Sequence, residues 1–185
     1  MNFLKFSTKE DNIKLDKKTL VALRWIAIFG QFFTIAFVFF ILKFKFNFFY
    51  CFLIIFIGAL SNIFLQFYIK RNQLNNLVST IFLFYDLVQL ALLIFFTGGI
   101  TNPFIILLII PAIVSSTFLS LISTLNLSFV TVVSLIVLTI YHLPLPHSGK
   151  LHFHVPDFYL YAVPIAIIIG LIFLTYFGAR FGSES

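Results

Sequence analysis

The chain has 185 residues, of which 61% are hydrophobic and only 10% charged. A soluble domain carries roughly 25% charged residues, so a water-soluble fold of this length is excluded and lipid is the solvent that fits. The formal net charge of +6 is no nucleic-acid signal, because the basic residues lie at the ends of apolar runs, where membrane topology uses them.

Residues 1–18 are polar and charged and read as a cytoplasmic N-terminal segment. The apolar run that follows has no small-residue cleavage site and is long enough to remain as an anchor. A spanning helix needs about 20 mostly apolar residues. Six runs meet this need: about 20–42, 48–69, 77–97, 103–121, 123–141 and 158–179. The second stops at Lys70-Arg71, the third at Gly98-Gly99, and the fourth opens on Pro103, a good first-turn residue. Only Ser120 to Asn126 separates the fourth from the fifth, with no charge to mark the turn. Pro111 and Pro164 should kink the fourth and sixth helices. The expected fold is therefore an all-α integral membrane protein of six transmembrane helices.

Lys and Arg counted by side orient it. With the N-terminus inside, nine fall inside (Lys5, Lys9, Lys14, Lys17, Lys18, Arg24, Lys70, Arg71, Arg180) and three outside (Lys43, Lys45, Lys150). That bias places both termini in the cytoplasm. The longest outer loop, His142 to Asp157, is too short for an extracellular sensor domain, so any signal should arrive in or near the membrane.

Few residues can carry chemistry. Asp86 is the one acidic residue well inside a span, with Tyr85 before it and Gln89 one turn later on the same face. A carboxyl at that depth is costly and faces the bundle interior or a site; an interhelical contact and a polar site are equal readings. The stretch Gly98-Gly99-Ile100-Thr101-Asn102-Pro103-Phe104 ends one helix on glycines and starts the next on an Asn-capped proline. It reads as a tight outer hairpin, and alternatively as amides and a ring that could bind the head of a lipid-soluble ligand. A regular helix puts Asp86 roughly 18 Å deeper than Gly98, so the two cannot share one small head group.

His142, His147, His152 and His154 fall in the last outer loop, where solvated side chains are expected before a metal site. Cys51 is the single cysteine, in an apolar stretch, and reads as an inert buried thiol. Ala162, Ala166 and Gly170 form a small-residue stripe suited to a bundle contact or a dimer seam. No catalytic set, phosphate loop, phosphoacceptor histidine motif or metal-ligand cluster is evident.

Three stretches together carry a family resemblance: Arg24-Trp25-Ile26-Ala27-Ile28-Phe29-Gly30-Gln31, then Asp86-Leu87-Val88-Gln89-Leu90-Ala91, then the heptad from Gly98 to Phe104. They resemble the membrane region of the RegB/PrrB-type redox-responsive sensor histidine kinases. The resemblance implies that residues 19–179 are a six-helix sensor domain in a bacterial inner membrane, and that 180–185 begin a cytoplasmic linker. It implies ubiquinone as the sensed ligand at Gly98, Gly99, Asn102, Pro103 and Phe104, with Thr101 of the same stretch beside them; Tyr85, Asp86 and Gln89 stand, on the residues themselves, as a secondary intramembrane polar site. It also implies a homodimer, an ATP-dependent kinase core after the sixth span, and a cognate response regulator. The kinase core and the family's redox-active cysteine lie outside these 185 residues, and Cys51 is not that cysteine. The alternative from the residues themselves is a small six-span transporter or channel using Asp86 and Gln89; an integral membrane enzyme ranks below both.

Overall fold

A computed structural model describes residues 15–147 and 155–184. Among them the chain is helical, with no strand and only the isolated bridges Asp16–Gln73 and Lys45–His147. The helices are α1 (Lys17–Ala36), continued by a π-helical turn at Phe37–Ile41, α2 (Phe48–Tyr68), α3 (Asn76–Phe96), α4 (Ile110–Phe118), α5 (Leu121–Ile140) and α6 (Asp157–Glu184). Two 3₁₀ segments, Gly99–Thr101 and Pro103–Ile109, link α3 to α4.

Five of these helices are long and apolar enough to cross a membrane, and Pro103–Phe118 forms a sixth, shorter apolar helix. Its 3₁₀ half matters for reach. A 3₁₀ turn rises about 2.0 Å per residue against about 1.5 Å in an α-helix. Winding seven residues this way brings the segment to roughly 27 Å, close to the roughly 30 Å of a hydrocarbon core. Pro111 lies in the first turn of α4, where the winding changes from 3₁₀ to α, rather than inside a continuous α-helix. Pro103, likewise, takes the first position of its 3₁₀ segment.

Short polar residues set the boundaries. Asn75 accepts the Val78 amide at 2.9 Å and caps α3. Ser120 accepts the Ser123 amide at 3.3 Å and caps α5, which puts the break between the fourth and fifth helices at Leu119–Ser120. That cap, a hydroxyl preferred at helix starts, moves the break slightly upstream of the 121–123 boundary read from hydropathy. The sixth helix runs past the expected end at 179 and is still helical at Glu184. The His152 and His154 positions lie outside the described residues.

Polarity is inverted relative to a soluble protein. Large apolar side chains such as Phe33, Ile122, Phe129 and Ile169 are more than 60% exposed. Arg24, Asn62, Gln89, Asn102 and Thr131 are buried. Burying polar groups while exposing apolar ones is stable only in an apolar solvent.

The largest core cluster joins α3, α4, α5 and α6 through residues such as Ile94, Leu108, Ala112, Leu135 and Leu171. Here α6 packs on α4. At Gly178 the two helices approach closely: a β-carbon there would collide with the Ser116 hydroxyl. By contrast, Ala162 and Ala166 are exposed and Gly170 has open space around its Cα. The small-residue stripe is therefore not a contact within this bundle. Gly178→Val should lower unfolding stability in detergent by about 2 kcal/mol through overpacking, whereas Gly170→Val should leave it unchanged; thermal unfolding of the two variants checks this.

Candidate functional site

The polar groups of the first three helices converge. Arg24 is on α1, seven residues in, so roughly 10 Å beyond its first residue. Its side chain is 3% exposed and meets Asp86 of α3, at 25%. The guanidinium forks onto the carboxylate: Nε donates to Oδ1 at 2.9 Å and to Oδ2 at 3.0 Å, and Nη2 lies 2.8 Å from Oδ1. This two-point geometry is what a planar guanidinium offers and an ammonium does not.

The second helix completes the shell. Arg24 Nη2 donates to the Ser61 hydroxyl at 2.9 Å, and Nη1 lies 3.5 Å from Asn62 Oδ1. Asn62 itself is tied back by donating to the Val21 carbonyl at 3.1 Å. The rings of Phe82 and Tyr85 lie 5.0 and 5.6 Å from the guanidinium carbon, within cation–π range. Toward the other end of α1, Gln89 donates to Gln31 at 3.1 Å. Gly58 of α2 gives that amide its room, since a β-carbon would come within 2.5 Å of it.

Tyr85, Asp86 and Gln89 thus lie on the α1–α3 seam, with Asp86 and Gln89 held by partners on α1. The residue that sequence pattern misses is Arg24. Counting by side groups it with the basic residues of the inner face, whereas it is buried against a carboxylate. Taking that one residue from the nine leaves eight against three. The available signal is its position: an arginine inside an apolar run, in a chain with one intramembrane carboxylate.

The heptad lies elsewhere. Gly98 and Gly99 have φ of 118° and 53°, the left-handed region that glycine tolerates. Asn102 accepts the Phe104 amide at 2.9 Å and donates to the Thr97 carbonyl at 3.1 Å and the Thr97 hydroxyl at 2.7 Å. The Thr101 hydroxyl donates to the Gly98 carbonyl at 2.6 Å. The segment after α5 folds over this turn. Leu143 donates its amide to the Phe95 carbonyl at 2.9 Å, and His142 covers Gly99 so closely that any β-carbon there would collide with its ring. Gly98, Gly99 and Asn102 are buried, so the exposed backbone amides expected of this turn are not what it presents. Pro103 and Phe104 are its exposed members.

Phe104 forms part of one wall of an open apolar groove of about 740 Å³, whose other lining comes from the end of α1 and its π-helical turn, including Phe33, Phe37 and Phe40. His142 is packed on the turn and His147 is exposed, its Nδ1 lying 3.1 Å from the Leu145 carbonyl oxygen. No cluster of three metal-ligating side chains occurs among the described residues.

A multi-pass helical membrane protein, with a buried ion pair joining its first and third helices and a glycine turn between its third and fourth, is the class these features define. In sequence it is similar to Sensor histidine kinase RegB of Cereibacter sphaeroides, with 30% identity over 168 residues. The matched stretch takes in 90% of this chain and 36% of that protein, so the chain spans little more than a third of the relative's length. The likeness carried by the three sequence stretches therefore extends over nearly the whole chain. No family model matches the chain, and no solved structure does.

The ion pair generates a direct test. Removing one partner leaves an uncompensated charge in an apolar interior. Arg24→Leu or Asp86→Leu alone should cost about 3 kcal/mol. The double variant should recover most of that loss, as replacement of both partners by apolar groups usually does. Unfolding curves in detergent micelles for the two single variants and the double variant check both statements.

Proposed function

We propose that this chain is the membrane sensing region of a redox-responsive sensor histidine kinase, and that it reads the oxidation state of a membrane quinone. The observation that carries the reading is the groove beside the glycine turn. Its lining is almost wholly apolar, it is open at the lipid-facing surface, and aromatic rings, Phe104 among them, line it. An isoprenoid quinone such as ubiquinone reaches such a groove laterally from the bilayer. Phe104 offers a ring face, while Gly98, Gly99, Thr101, Asn102 and Pro103 shape the turn that holds it.

In this reading the helices make six spans, with Pro103–Phe118 as the fourth, and both termini are cytoplasmic. Residues 1–18 and 180–185 flank the sensor domain of residues 19–179. The signal leaves through α6 toward a kinase core that uses ATP and passes phosphate to a response regulator, and the working unit is a homodimer. Quinone in the groove would bias the 3₁₀ segment Pro103–Ile109, whose seven residues exceed the usual three or four of such helices. A ligand shifts such an equilibrium only by its affinity difference between the two states.

The transport alternative needs Asp86 and Gln89 free to meet a solute. Both are engaged by Arg24 and Gln31, which favours the sensor reading.

Ubiquinone titration of the full chain in lipid nanodiscs tests the site. Phe104→Ala should weaken binding about tenfold, or ~1.4 kcal/mol, with helicity and thermal stability retained. Asn102→Ala should weaken binding and also lower stability by about 1 kcal/mol through loss of the cap. Unchanged affinity in both variants would move the ligand away from this turn.

A further inference from the structure

A second cleft, of about 410 Å³, opens between the beginning of α1 and the end of α2, at the opposite end of α1 from the groove. It is lined by Lys17, Lys18, Ala22, Trp25, Gln66 and Asn72, among others. We infer that this cleft is a binding site for an anionic phospholipid, which seats its phosphate at Lys18 and its glycerol and first acyl carbons against Gln66, Ala22 and Trp25.

The two lysines have different tasks. The Lys17 ammonium donates to the Ile69 carbonyl at 2.7 Å and the Gln66 carbonyl at 3.2 Å. It therefore satisfies the open carbonyls at the end of α2 and balances the negative end of that helix. Lys18 is exposed, and no partner for its ammonium is found among the described residues. Asn72, which also lines the cleft, accepts the Lys17 amide on its backbone carbonyl at 2.9 Å. Asp16, the neighbouring carboxylate in sequence, does not line the cleft.

Depth supports a lipid over a soluble anion. Trp25 lies seven residues beyond Lys18, so roughly 10 Å further along the helix. That run takes the cleft from a cationic rim to an indole wall, the amphipathic ring that favours the membrane interface. The indole nitrogen lies 3.5 Å from the Gln66 side-chain oxygen, so that the Gln66 amide borders the indole in the cleft wall. Cation, polar amide side chains and apolar wall follow the order phosphate, ester, acyl chain. A free phosphate would use only the first of these. The inference is independent of the quinone reading, since it involves neither the glycine turn nor the groove.

The chain has one tryptophan, and it is in the wall of this cleft. Its fluorescence therefore reports occupancy directly. The full chain would be placed in phosphatidylcholine vesicles containing either brominated phosphatidylglycerol or brominated phosphatidylcholine. Brominated phosphatidylglycerol should quench Trp25 at about fivefold lower mole fraction, the preference one interfacial lysine gives. Lys18→Gln should erase that preference, while the double variant Lys70→Gln with Arg71→Gln, which removes charge outside the cleft lining, should keep it. Equal quenching by the two lipids in the unaltered chain would overturn the site. So would a preference that survives Lys18→Gln or disappears with Lys70→Gln and Arg71→Gln, since that result means diffuse surface charge.

Discussion

An arginine and an aspartate inside hydrocarbon have to find each other, because neither can be left charged and unpaired there without a cost of several kcal/mol. In this chain the pair is Arg24 and Asp86, and the requirement fixes the rotation of α1 and α3 about their axes. With Arg24 facing α3, Gln31, two turns later on the same face of α1, reaches Gln89. With Asp86 facing α1, Ser61 and Asn62 of α2 fall within reach of the remaining guanidinium nitrogens. The apolar faces left over, including Phe29, Phe33 and Phe84, are then turned outward. A nonspecific apolar contact between helices has no such directional demand in lipid, where tails and side chains are equally apolar. The polar layer is therefore what gives the first three helices a single arrangement.

Much of this was legible in the residues. The apolar runs gave the helices, since few alternatives exist for such composition. The three-residue spacing of Asp86 and Gln89 placed them on one face, and the interhelical reading of that face agrees with the contacts. The partner was harder to see. A count of lysine and arginine by side assigns each cation to a surface by its neighbours in sequence, but Arg24 takes its environment from residues 37 to 62 positions away. Glycine and proline likewise announced the turn at 98–104, but not its burial. That comes from Leu143 and His142, which reach back from beyond α5, and no local signal encodes the contact. The 3₁₀ winding of Pro103–Ile109 was equally hidden, because apolar residues in a lipid-exposed segment constrain the helix period weakly.

The two ends of α1 have different surroundings, and the difference follows from where each end stops. Its beginning is tied to α2 by Lys17 on open carbonyls and bordered by amides and a tryptophan. Its end runs into a π-helical turn of five residues, Phe37–Ile41, in which the Leu42 amide bonds to the Phe37 carbonyl at 3.2 Å. A π turn widens the helix and shifts the side chains that follow. Here it groups Phe37, Phe40 and Ile41 on the groove that Phe104 borders. The groove is thus lined mainly by the irregular end of α1, with Phe104 of the α3–α4 connection at its border.

The fourth helix joins the two halves of the molecule. Its 3₁₀ beginning is capped by Asn102 in the glycine turn, and its α-helical end carries Ser115 and Ser116. Ser115 shares a hydroxyl contact of 3.0 Å with Thr124 of α5, and Ser116 fills the space opposite Gly178 of α6. A 3₁₀ segment of seven residues is about 3.5 Å longer than the same residues wound as an α-helix. Any change in that winding has to be taken up at one end of the helix. The turn end is held by the Asn102 hydrogen bonds to Thr97 and by the cover of His142, and the other end by the Ser115–Thr124 contact with α5 and the close packing of Ser116 against Gly178 of α6. In the proposed sensor, displacement of the fourth helix would therefore reach α6 through the contact of Ser116 with Gly178 and α5 through that of Ser115 with Thr124.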